Sequence, residues 1–126
     1  MIKPTKIHYA KLRQQLCITF EHGVEGELSA ELLRVFSPSA EVRGHGTGQE
    51  VLQVGKRNVT VTEIKAIGHY AIQLVFSDGH DSGIYSWAYL AELIDQQNSL
   101  WAAYLSRLDA AGASRDPDVQ VIQFKP

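Results

Sequence analysis

The stretch Tyr70-Ala71-Ile72-Gln73-Leu74-Val75-Phe76-Ser77-Asp78-Gly79-His80-Asp81-Ser82-Gly83-Ile84-Tyr85-Ser86-Trp87 decides the fold. Its first part alternates, with Ile72, Leu74 and Phe76 facing one way, as a half-buried strand requires. Asp78-Gly79 is the strongest turn signal in the chain. A two-residue hairpin of the primed type needs positive φ, which this pair tolerates. A returning strand is expected from about Ser82 to Tyr85, and Ser86 then stands where a helix cap should be.

Working outward, Val59-Thr60-Val61-Thr62-Glu63-Ile64 alternates with period two and turns back through Ile67-Gly68-His69. Val51-Leu52-Gln53-Val54 reads as a further strand, turned by Gly55-Lys56-Arg57-Asn58. Nearer the start, Lys6-Ile7-His8-Tyr9 and Leu16-Cys17-Ile18-Thr19-Phe20 are short strand-like runs. Glu21 to Gly26, with two glycines, interrupts the pattern. Ser29 can cap a short helix with Glu31 in its first turn and Leu32, Leu33 and Phe36 on its apolar face. Ser37-Pro38 ends it, because the residue before proline is driven out of helical geometry. Ser39 to Glu50 carries Gly44, Gly46 and Gly48 and reads as a mobile loop.

Downstream of Ser86, two helices are expected. Trp87, Leu90, Ala91 and Ile94 form the apolar face of the first. Asn98 is the expected cap of the second, which carries Trp101, Tyr104, Leu105 and Leu108 and stops at Ala111-Gly112. These aromatics suit a core better than an exposed surface. Residues 112–126 read as a loose tail, in which Val119 to Phe124 could add an edge strand. No internal repeat is evident. The expected fold is α+β, a mainly antiparallel β-sheet with one short early helix and two C-terminal helices, in a single domain over residues 1–126.

Composition sets the function classes. The chain has 126 residues, of which 44% are apolar and 21% charged, as in an ordinary globular protein. Twelve basic against fourteen acidic residues give a net charge of −2. That argues against a basic stripe for nucleic acid or an anionic membrane. Lys3, Lys6, Lys11 and Arg13 suit the blunting of edge strands. No apolar run is long enough to cross a bilayer, and the start lacks a secretory stretch, so a cytoplasmic location is expected. The lone Cys17 cannot form an intrachain disulfide and reads as a small hydrophobe in a strand.

Catalytic signatures are sparse. Gly44-His45-Gly46-Thr47-Gly48 has its third glycine one residue early for a dinucleotide loop, and a strand rather than a helix is expected after it. No Gly-x-Ser-x-Gly elbow is present. His45 and His80 lie in polar, glycine-rich segments, and Asp78 precedes His80 by two residues. Two histidines and a carboxylate could hold zinc or ferrous iron, although nothing in their spacing forces them together. His45, Asp78 and His80 are therefore the candidate metal ligands.

Three blocks carry a resemblance: Ser37-Pro38-Ser39-Ala40-Glu41-Val42-Arg43-Gly44-His45-Gly46, Gly55-Lys56-Arg57-Asn58-Val59, and Phe76 through Trp87. Together they resemble the gamma-butyrobetaine hydroxylase-like N-terminal domain family over about residues 4 to 110. The resemblance implies a small domain found ahead of an iron- and 2-oxoglutarate-dependent oxygenase domain, or beside iron–sulfur cluster carrier ATPases. No oxygenase domain is present here, so neither activity transfers. In the hydroxylases the small domain holds a structural zinc with three cysteines and one histidine, and contributes to dimer contacts. The histidine falls on His80 and the cysteines on Ser37, Ser39 and Val42, so the soft ligands are missing and His45 is the substitute partner to weigh.

These readings lead to an expected non-catalytic accessory module, acting through a protein partner or a homo-oligomer. The alternative is an iron or zinc protein linked to iron or iron–sulfur handling. An independent enzyme ranks third.

Overall fold

The computed structural model describes residues 2–44 and 50–117. Two three-stranded antiparallel meanders, each delivering its chain into a helix, make up the architecture. The first contains β1 (Pro4–Ala10), β2 (Gln15–Phe20) and β3 (Glu25–Ser29), followed by α1 (Ala30–Val35). A short α2 (Ala40–Arg43) follows it. The second contains β4 (Val61–Ile67), β5 (Ala71–Phe76) and β6 (Ile84–Ser86), which feeds α3 (Trp87–Ala111).

The same local device closes both meanders. Gly26-Glu27-Leu28-Ser29 and Gly83-Ile84-Tyr85-Ser86 each end on a serine that caps the next helix. The Ser29 hydroxyl accepts from the Leu32 N–H and the Ser86 hydroxyl from the Tyr89 N–H. Each leaves one fewer helix-start donor unsatisfied. Each glycine marks a close approach. A Cβ on Gly26 would come within 2.5 Å of Ile94 on α3, and one on Gly83 within 2.5 Å of the Ser37 hydroxyl.

One core lies between the sheets and helices, with Leu16, Ile18, Leu28, Leu33, Leu74, Phe76, Tyr85 and Leu90 almost wholly buried. The Val61 N–H donates to the Tyr9 hydroxyl at 3.3 Å, linking the two sheets. A second cluster gathers Val35, Tyr104 and Leu108. Expectation and structure agree on the α+β class, on antiparallel pairing and on the two serine caps, but the strands form two three-stranded sheets where one sheet is expected. Trp101 is half-buried and Tyr104 buried, so these aromatics serve packing.

Five local expectations are corrected. The two C-terminal helices are one helix of 25 residues. Ile94 and Trp101 are seven residues apart, so the two apolar patterns share one phase and pack on one side. Asn98 is then an exposed mid-helix residue, and an asparagine inside a helix costs only a fraction of a kcal/mol, too little to break it. Replacing Asn98 with alanine should therefore stabilise the chain by about 0.5 kcal/mol in chemical denaturation. A true N-cap would instead lose about 1 kcal/mol.

Glu25–Ser29 is a strand, although only Leu28 is buried along it; an edge position asks for little apolar content. Val51 to Val54 is not a strand. Val51 N–H donates to Val42 C=O at 2.8 Å, and Gln53 C=O accepts from the Tyr104 hydroxyl at 2.7 Å. Just beyond this run, Gly55 N–H donates to Ser114 C=O and Arg57 N–H to Arg115 C=O, both at 2.9 Å. The tail is accordingly held as far as the described residues reach. Gly112 adopts a left-handed cap, Ala113 N–H returns to Leu108 C=O, and Arg115 grips the buried Glu31 with two bonds of 2.6 and 2.7 Å. Val119 to Phe124 lie outside the described residues. Finally, part of the expected loop after Ser39 is the helical turn α2, capped by the Ser39 hydroxyl.

Candidate functional site

The tip of the β5–β6 hairpin docks onto the corner between α1 and α2. Phe76 N–H donates to His80 C=O at 2.9 Å, and Gly79 N–H donates to Phe76 C=O at 3.0 Å. Ser77, Asp78 and Gly79 therefore make a three-residue loop with Gly79 at φ +90°, rather than the expected two-residue primed turn. The longer tip aims both Asp78 and His80 at the corner.

Asp78 is fully engaged. One oxygen, Oδ2, accepts from Arg34 Nε at 2.8 Å and from Lys56 Nζ at 2.7 Å. The other, Oδ1, accepts from the His80 N–H at 3.2 Å. Burial alone would raise its pKa, but the Lys56, Arg34 and His80 hydrogen bonds outweigh it and bring the carboxyl down to about 2. Arg34 is itself buried, and its Nη1 has no hydrogen-bond partner. The Asp78 charge is the counter-ion that makes that burial tolerable.

His80 is buried as well, with its side chain only 3% exposed. Its Nε2 lies 2.8 Å from the Ser37 hydroxyl and its Nδ1 lies 3.2 Å from Glu41 Oε2. A carboxylate only accepts, so Nδ1 carries the proton. The Ser37 oxygen accepts from the Ser39 N–H at 3.3 Å and gives its own proton to Nε2. Burial, and then the Arg34 charge, push the His80 pKa below its ordinary value, despite the opposing Glu41 and Asp78 carboxylates. A neutral ring fits both hydrogen bonds. Beside it, the Ser39 and Ser82 hydroxyls pair at 2.7 Å.

The α1–α2 corner is held from below too. The Tyr85 and Tyr89 hydroxyls donate to the carbonyls of Leu33 and Phe36, closing the C-terminal end of α1.

Of the candidate ligands, the structure brings Asp78 and His80 to one junction, while His45 lies outside the described residues. Ser37, Ser39 and His80 do come together, as the resemblance implies, and Val42 is buried nearby on α2. These four positions do not fit a zinc ion. Two are hydroxyls already spent in hydrogen bonds, one is a hydrocarbon, and the imidazole has both nitrogens engaged. Among the described residues no group of three histidine, cysteine or acidic side chains is placed to hold a metal. Sequence reasoning missed Arg34, Glu41 and Lys56, whose signal is only a charge of the right sign, far along the chain.

A second surface adjoins the junction. A cavity of about 720 Å³ opens between the α1–α2 corner and α3, with walls that include Phe36, Val42, Tyr89 and Leu100. A shallower groove continues from it across Arg43 and Tyr89 to Pro38, Ile84 and Ala88. Arg43 stacks on the Tyr89 ring at 4.9 Å. Among the described residues, no helix is long and apolar enough to cross a membrane.

Comparison with known proteins gives the chain its relatives. The family model described as gamma-butyrobetaine hydroxylase-like, N-terminal, matches residues 7–91. A protein solved in solution by NMR is 46% identical over 98% of both chains, with a TM-score of 0.82. Another NMR structure is also 46% identical, covering all of this chain and 95% of that one, at a TM-score of 0.81. A crystal structure from Acidithiobacillus ferrooxidans, described as a protein of unknown function in the DUF971 family, is 35% identical. It covers 72% of this chain and 91% of its own, with a TM-score of 0.61. No curated protein matches. With two thirds of its length matched by the family model and a solved relative of the same length sharing its fold, this chain belongs to the gamma-butyrobetaine hydroxylase-like N-terminal domain family.

Proposed function

We propose that the chain is a non-catalytic binding module that associates with a protein partner or a second copy of itself. The face used is the one formed by the α1–α2 corner, β6 and the first half of α3. One observation carries this reading: apart from Arg34 Nη1, the polar groups named at the hairpin–corner junction are occupied with each other, while the neighbouring face carries exposed apolar side chains. Arg34, Lys56 and Asp78, then Ser37, His80 and Glu41, then Ser39 and Ser82 pair across the junction and leave a fixed frame. Next to that frame, Val51 is 52% and Ile84 44% exposed, on either side of the stacked Arg43 and Tyr89. A rigid frame bearing exposed apolar side chains suits docking of another surface.

Sedimentation over a range of concentrations tests it. Self-association that weakens in Ile84→Glu is the expected result, since a charge there would have to be desolvated on docking. A strict monomer at every concentration removes the homo-oligomer and leaves only a different protein as partner.

The rival reading, a zinc or iron protein, rests on His80 lying beside the positions that carry thiolates in the hydroxylases. It is separated by metal analysis of protein purified without a histidine tag. The binding-module reading expects no stoichiometric metal and the same melting temperature before and after chelation. One metal per chain, lost in both His80→Ala and His45→Ala, would favour the rival.

A further inference from the structure

The cavity between the α1–α2 corner and α3 shares Val51, Arg43 and Tyr89 with the association face, but it has a charge character that the association reading does not use. Its lining is mixed, with an apolar part supplied by Val35, Phe36 and Val42 from one side and Tyr89, Leu100 and Ala103 from the other. Its lining also contains two arginines, Arg43 and Arg107, against one carboxylate, Glu50. Elsewhere in the fold Arg13, Arg34 and Arg115 each hold a carboxylate. Neither Arg43 nor Arg107 makes an ion pair among the described residues, and Glu50 pairs with neither. Arg43 is oriented by its stack on Tyr89, whose hydroxyl is tied to the Phe36 carbonyl. A guanidinium stacked on a ring keeps its in-plane N–H donors available to an anion. At about 720 Å³ the cavity lies within the range of small-molecule sites, which are mostly apolar with a few placed polar groups.

We propose that this cavity binds an amphipathic organic anion, its apolar body against Phe36, Val42 and Leu100 and its carboxylate or phosphate head met by Arg43 and Arg107. Such a ligand gains from burial of its hydrocarbon and from charge-assisted hydrogen bonds to the guanidinium groups. The site overlaps the association face, yet ligand binding does not depend on association, because a monomer presents the same cavity.

The test is an amide-resolved NMR titration of the full chain with decanoate, kept below its micelle concentration, and in parallel with decyltrimethylammonium. Saturable shifts from decanoate at Val42, Tyr89, Leu100 and Ala103 are expected, with affinity at least about tenfold above that of the cationic twin. The double variant Arg43→Gln/Arg107→Gln should lose about tenfold in decanoate affinity and little of its residual apolar binding. Ala103→Trp, at an exposed helix position lining the cavity, should block both probes while keeping the wild-type spectrum elsewhere. Absence of saturation, shifts mapping outside the cavity, equal binding of the two probes, or undiminished decanoate binding in either variant would each overturn the proposal.

Discussion

Replacing Asp78 with asparagine is expected to cost about 3 kcal/mol of folding stability, measured by urea denaturation of the full chain. The size of the effect comes from Arg34, whose side chain is only 8% exposed and whose charge Asp78 balances at 2.8 Å. An amide keeps the shape of the carboxylate but leaves that guanidinium buried without a counter-ion, beside a second cation on Lys56. Removing one partner of a buried pair costs far more than the pair itself contributes. The same charge dictates the acid response. The folded-state pKa of Asp78 lies at about 2, below the ordinary 3.8, so the unfolded chain takes up this proton first as pH falls. Stability from Asp78 is complete above about pH 4 and is lost between there and pH 2, a contribution of about 2 kcal/mol. His80 acts in the same direction at higher pH, because its lowered pKa means that the unfolded chain protonates before the folded one does. Its loss begins below the ordinary imidazole value of 6.5. In Asp78→Asn the step between pH 4 and 2 should flatten, whereas the His80 part should persist.

Gly83→Val is the second large effect, expected at about 3 kcal/mol. Space is the limit at Gly83. A Cβ there would meet Ser37 Oγ at 2.5 Å, the Tyr85 ring at 3.1 Å and the Pro38 ring at 3.4 Å. The first two neighbours cannot yield cheaply, since Ser37 holds His80 and the Tyr85 hydroxyl holds the Leu33 carbonyl. The cost should be less than additive with Ser37→Ala, which removes the nearest clash and the bond it would break. Full additivity of the two changes would show that Gly83 matters for some other reason.

The parts of this fold visible in the sequence are those set locally. Alternation in Tyr70 to Phe76, the Asp78-Gly79 turn and the serines ahead of α1 and α3 are each decided within a few residues. Asn98 shows where local reading fails: a good capping residue carries little weight against a continuous apolar stripe that packs on the rest of the chain. Val51 to Val54 shows the converse, an apolar run whose backbone partners are the Val42 carbonyl and the Tyr104 hydroxyl and not a neighbouring strand. The site divides in the same way. His80 and Asp78 stand out because they sit at a turn, and the family resemblance points to Ser37 and Ser39. Arg34, Glu41 and Lys56 become meaningful only when the fold brings residues some 20 to 45 positions apart into contact. The Glu31–Arg115 pair, separated by 84 positions, lies beyond any local pattern.

The His80 imidazole, held between the Ser37 hydroxyl and the Glu41 carboxylate, fastens the hairpin to the helical corner, and the pairing of both its nitrogens needs a neutral ring. Long-range proton–nitrogen correlation of the His80 ring at neutral pH, with zinc titrated in, tests it most directly. The account predicts a proton on Nδ1, a bare Nε2 accepting from Ser37, and nitrogen shifts that do not move with zinc. An imidazolium, the opposite tautomer, or a stoichiometric zinc-induced shift of either nitrogen would contradict it.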